Sequence, residues 1–89
     1  MYKKFDKLSI MKNDLITIFE IYARVRRFKH STLGKKIALA PDFHARLKVG
    51  RVSIRKAEEV MLKLSEIWPE EVPWPKDIPR PKPQNKDAA

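Results

Sequence analysis

Proline placement limits this chain more than any other feature. Six of its seven prolines fall in one stretch, PEEVPWPKDIPRPKP, which begins at Pro69. Proline fixes φ near −65° and donates no N–H, so this stretch is expected to be extended, with polyproline II segments, and to form no helix. Residues 1–68 carry only Pro41 and are free to coil into helices. The expected organisation is a helical unit over 1–68 and a Pro-rich extended tail over 69–89. Within the tail Val72, Trp74 and Ile78 alternate with polar and proline positions, which suits a strap laid across an apolar groove of this chain or of a partner subunit. The last residues, KPQNKDAA, have nothing to bury and are expected to be mobile. Eighty-nine residues without a cysteine make one domain with a thin core, no disulfide framework and no thiolate metal site.

Apolar spacing divides the first 68 residues. Leu8, Met11, Leu15, Ile18, Tyr22 and Val25 recur at intervals of three and four, with Phe19 widening the stripe, which predicts one long amphipathic helix. Asp6 is its N-cap candidate. Ser31 or Thr32 opens a second helix of about two turns through Leu33 and Ile37. Gly34 lies inside it, where glycine costs roughly 1 kcal/mol relative to alanine, and so marks the close approach of another backbone. Leu39 and Ala40 form a turn, Pro41 takes the first position of a third helix, and Gly50 ends that helix in the left-handed region. Phe43 and Leu47 share its inner face, leaving Asp42, Ala45, Arg46 and Lys48 outward. Ser53 caps a fourth helix with Ile54, Ala57, Val60, Met61, Leu64 and Trp68 apolar, and Pro69 stops it. The expected class is all-α, with four to five helices.

Charge is concentrated on the middle helices. Arg24 to Lys56 holds eleven Lys or Arg against the single acid Asp42, a balance of +10 where the whole chain carries +9. Such a field attracts a polyanion, and each cation that neutralises a phosphate releases condensed counterions. A membrane surface would satisfy the charge, but the segment lacks the Trp, Phe and Leu face that an interfacial helix inserts. Nor is there a run of about 18 apolar residues to span a bilayer, and MYKKFDKLS lacks the apolar block of a secretory signal. A cytoplasmic, nucleoid-associated protein is expected. Arg55 and Lys56, in the first turn of the fourth helix, oppose its dipole, and phosphate contact would supply a reason.

Leu33 to Arg51, LGKKIALAPDFHARLKVGR, resembles the helix-turn-helix of Cro and lambda-repressor-like (XRE-type) DNA-binding domains. Leu33 and Ile37 occupy the apolar places of the first helix, Ala38 and Leu39 those of the turn, and Gly50 with Arg51 the close of the recognition helix. With lower specificity the resemblance extends over Asp14 to Trp68. It implies a lambda-repressor-like helical bundle whose helix-turn-helix spans about 32–50 and whose recognition helix, about 41–49, enters the major groove of double-stranded DNA. Two places depart from the pattern: Ala38 stands where glycine is common, and His44 where the family has an apolar residue. On this reading Asp42, His44, Ala45 and Arg46 are the candidates for base contact, with Arg46 first because a guanidinium bonds guanine O6 and N7 together. Asp42 also fits as a cap, and His44 as a partly buried core residue. Lys35, Lys36, Lys48, Arg51 and Arg55 suit phosphates, as do Ser31 and Thr32 at a helix N-terminus.

Catalytic chemistry finds little footing. His30 and His44 are fourteen residues apart with no carboxylate at a triad or metal spacing, and two glycines make no phosphate loop. No cofactor, metal or small-molecule ligand is expected. The expected function is sequence-specific transcriptional regulation, as a homodimeric repressor of phage or mobile-element type. The alternatives are a protein-interaction module, such as an antitoxin or small phage inhibitor, and a nonspecific nucleic-acid-binding protein.

Overall fold

A computed structural model describes residues 7–81, and among them it contains four α-helices and no strand. Asp6 and the segment KPQNKDAA lie outside the described residues, as does the side chain of Leu8. The helices are α1 (Lys7–Arg26), α2 (His30–Ala38), α3 (Phe43–Lys48) and α4 (Ile54–Ile67). α1 packs against each of the other three, so the core gathers around its middle.

That middle is the run Leu15, Ile18, Phe19, Tyr22 and Ala23, all buried. Intervals of three and four bring these residues to one face. The expected stripe overreaches at its end: Val25 is 39% exposed, and Ala23 is buried instead. Leu33 and Ile37 from α2, Phe43 and Leu47 from α3, and Ala57, Val60, Met61 and Leu64 from α4 complete the core. Val52 is buried between α3 and α4, whereas Ile54, expected inside, is 37% exposed.

Two helix starts differ from the sequence-based expectation. α2 begins at His30, one residue before Ser31, because the Leu33 N–H already bonds the Lys29 carbonyl (2.9 Å). Its N-cap, Lys29, makes no side-chain cap bond, so Ser31 and Thr32 sit inside the first turn rather than capping it. α3 begins at Phe43, not Pro41. The Phe43 N–H bonds the Ala40 carbonyl (3.0 Å), which makes Pro41 and Asp42 the centre of a turn, and Asp42 becomes the N-cap. α3 is thereby shorter than the expected 41–49, at six residues. Ser53 caps α4 through its hydroxyl, which accepts from the Lys56 N–H at 3.1 Å.

Gly34 explains the tightness of the α2–α3 connection. Its carbonyl accepts from the Ala40 N–H (3.2 Å), and a Cβ on Gly34 would stand 2.5 Å from the Ala40 carbonyl oxygen and 3.3 Å from the Phe43 Cβ. The left-handed residue of the turn is Leu39 (φ 58°), one place beyond Ala38. At the other end of α3, Gly50 (φ 76°) closes the helix: its N–H bonds the Leu47 carbonyl (3.0 Å) and the Arg51 N–H bonds that of Arg46 (2.8 Å), the paired bonds of a Schellman motif.

Beyond Trp68 the chain forms two like turns rather than a uniformly extended strap. WPEEVP (68–73) and WPKDIP (74–79) share one arrangement. In each, the Trp indole N–H donates to the carbonyl of the aliphatic residue four places on, Val72 or Ile78, at 2.8 Å. In each, the N–H of that aliphatic residue bonds the carbonyl of the proline after Trp, at 3.2 Å. The two rings meet edge to face at 4.9 Å, Trp68 packs on Tyr22, and Ile78 enters the core. Arg80 then lies over the Trp74 ring (5.0 Å) and donates to the Ser65 carbonyl (2.8 Å) and hydroxyl (3.0 Å). Residues 69–81 are thus fastened to the helical unit of their own chain.

Candidate nucleic-acid interface

α3 divides sharply between core and solvent. Phe43, His44 and Leu47 are buried, while Ala45, Arg46, Lys48 and Val49 are exposed. Phe43 tilts against Phe19 (5.8 Å between ring centroids), and Leu47 is fully buried beside them. With both aromatic rings turned inward, the outer arc of α3 carries only small and cationic side chains.

His44 is the main change to the candidate site. It is 8% exposed, stacked on Phe19 (5.4 Å) and bonded through Nε2 to Glu20 Oε2 at 2.8 Å. It therefore faces α1 and drops out of the outward-facing set; its job in the fold is to hold the start of α3 on α1. The carboxylate that sequence spacing did not offer to either histidine is Glu20, 24 residues before His44. His30, at the start of α2, completes the cluster with its ring 3.9 Å from that of His44. Partial burial, then His44, hold the His30 pKa below its ordinary value; Lys48 acts in the same direction and Glu20 opposes. Among the described residues no group of three or more His, Asp or Glu side chains is arranged to hold a metal ion.

The other candidates lie on the surface. Asp42, Ala45 and Arg46 are exposed, and Arg46 Nη1 stands 3.9 Å from Asp42 Oδ2 at i,i+4, so the acid restrains the guanidinium. An exposed pair of this kind contributes a few tenths of a kcal/mol, little enough that Arg46 can exchange partners. Asp42 makes no side-chain cap bond. Ser31 and Thr32 stand exposed in the first turn of α2, where backbone N–H groups lack helical acceptors. Lys35, Lys36, Lys48, Arg51 and Arg55 are all exposed; Lys36 extends over the Phe28 ring (5.5 Å), and Lys12 of α1 reaches the Lys48 carbonyl (3.5 Å).

Between α3 and the start of α4 runs a groove of about 280 Å³, lined by Ala40, Phe43, Arg46, Arg51, Val52, Ser53 and Lys56. Three cations converge there from separate elements: Arg46 from α3, Arg51 from the Schellman close, and Lys56 from the first turn of α4. Of the neighbours Arg55 and Lys56, only Arg55 was expected among the phosphate contacts, yet it is Lys56 that lines the groove. The signal was their shared place against the helix dipole, and only the direction of α4 sets Lys56 toward the groove.

Comparison with protein-family models, curated proteins and solved structures found no match to this chain.

Proposed function

We propose that this chain is a sequence-specific double-stranded DNA-binding regulator of the Cro and lambda-repressor-like type, acting as a homodimeric repressor with α3 laid in the major groove. The observation that carries this is the joining of a short, outward-facing helix to a convergent cationic groove. Arg46, Arg51 and Lys56 line it within a segment where eleven basic residues meet one acid.

An α-helix fits the major groove, and phosphates flank that groove on both sides. In this arrangement Arg46 reads base edges, with Asp42 orienting it until a base takes its place. Arg51 and Lys56 grip phosphate on the α4 side, while Ser31, Thr32, Lys35 and Lys36 meet the backbone from α2, where a helix start favours an anion. Lys48 and Arg55 add to the same field. His44 and Glu20 fix the angle of α3 rather than touching DNA. A six-residue helix buries little surface, so two copies on a two-fold site supply the area that specific binding needs.

Selection from a randomised duplex library, followed by titration of variants on the enriched sequence, tests the assignment. Arg46→Ala is expected to relax base preference at one position, and Lys36→Ala to weaken every duplex alike. Intact preference in Arg46→Ala would remove Arg46 from base reading.

A further inference from the structure

Three titratable side chains meet where α2 and α3 both rest on α1. Glu20 comes from α1, His30 is the first residue of α2, and His44 lies in the first turn of α3. His44 Nε2 stands 2.8 Å from Glu20 Oε2, and the His30 ring lies 3.9 Å from the His44 ring. Phe19 floors both rings, stacked against His44 at 5.4 Å and edge-on to His30 at 5.9 Å. α3 is only six residues long and is tied to α1 at both ends, by His44 on Glu20 and by Lys12 on the Lys48 carbonyl. So short a helix is marginal alone and takes its setting from such contacts.

The charges acting on His30 are Glu20 of α1 and His44 and Lys48 of α3, and Glu20, the one acid among them, is already bonded to His44. A proton on His30 sets a cation against a second imidazole and near the Lys48 ammonium, at the positive end of α2, with a single carboxylate to share. The repulsion falls on the contact between α2 and α3. Resting on the DNA-binding reading, we infer that Glu20, His30 and His44 form a proton-operated clasp: with His30 neutral it seats α3 for base reading, and a proton on His30 loosens it, so that site preference falls as the solution turns acid. The three residues act through the setting of α3 and touch no base. The His30 ring faces Phe19 and His44, so its proton acts on the helix contact before it acts on a phosphate. Coupling of this kind is reciprocal: what the proton takes from DNA affinity, DNA takes from proton affinity. His44 stands where the family that the sequence resembles has an apolar residue, so the clasp belongs to this chain and not to the resemblance.

The test measures the affinity of the intact protein for its selected duplex and for a scrambled one at pH 7.5 and pH 5.5 and fixed salt, with circular dichroism on the same samples to confirm that the chain is folded. Wild type is compared with His30→Gln, which keeps a neutral polar side chain at both pH values. Wild type is expected to lose about fivefold or more of its preference for the selected duplex on acidification, the low end of coupling between two sites. His30→Gln should keep its preference. Followed by NMR, the His30 ring should take up its proton at lower pH in the specific complex than in the free protein. Constant preference in wild type, or an equal fall in His30→Gln, overturns the clasp and leaves DNA binding standing. Preference that rises on acidification, or a His30 ring that titrates at higher pH in the complex, assigns His30 to phosphate contact and overturns the clasp. Equal affinity for the two duplexes at pH 7.5 overturns the sequence-specific reading and the clasp together.

Discussion

Leu39 holds a backbone conformation that leucine disfavours, at φ 58°, and gains nothing from burial, being 85% exposed. A non-glycine residue there costs on the order of 1 kcal/mol. Leu39→Gly is therefore expected to raise stability by up to about 1 kcal/mol, read as a higher urea midpoint with an unchanged m-value. Gly34 is the opposite case. Its missing Cβ is the space that the Ala40 carbonyl occupies, so Gly34→Ala should destabilise by about 2 kcal/mol or more through overpacking, read in the same titration. Sequence exposed one of these positions and not the other. A glycine inside a helix announces close approach by its own cost, whereas nothing in the residues of the turn marked Leu39 as left-handed. His44 was left between core and groove for a similar reason. Nothing local to PDFHARL says that Glu20, a full helix away in the chain, waits to bond its ring.

At the level of elements, the seam where α1, α2 and α3 meet is titratable. His30 is held below its ordinary pKa by partial burial and by His44 and Lys48 of α3, against the opposing Glu20 of α1. In this case the unfolded chain takes up a proton on His30 before the folded one does. The stability tied to His30 is thus complete above its ordinary value, near 6.5, and is lost as pH falls through the lower folded value. Denaturation midpoints should fall between pH 7.5 and pH 5, and His30→Gln should flatten part of that slope; an identical slope in the variant would remove His30 from the effect. The elements themselves were largely legible. Periodicity placed all four helices and Ser53 announced the start of α4, while two helix starts moved by one and two residues because backbone bonding at Lys29 and Ala40 decided them. Convergence of Arg46, Arg51 and Lys56 was not legible, since it depends on how α4 leaves the Schellman close.

Across the whole molecule, the proline-rich segment is part of the fold. Ile78 is buried in the same core as Leu15 and Leu64, and Arg80 ties the segment to Ser65 of α4. Ile78→Ala should cost about 2–4 kcal/mol, the range for removing a buried aliphatic, and thermal unfolding should remain a single transition. A change well under 1 kcal/mol would mean that the tail is held only loosely. Proline content foretold the end of the helices but not the hexapeptide repeat, whose indole-to-carbonyl bonds turn two short stretches back on themselves. The same molecule presents its cations on the surface around α2, α3 and the start of α4, while the tail fastens to the far end of α4. The central claim is that this cationic surface reads sequence. It is tested most directly by titrating the intact protein against its selected duplex and a scrambled version at two salt concentrations. A preference of at least ~10³ that persists at the higher salt is the expected result. Equal affinities that collapse together as salt rises would contradict it, leaving only a charge-driven grip on the backbone.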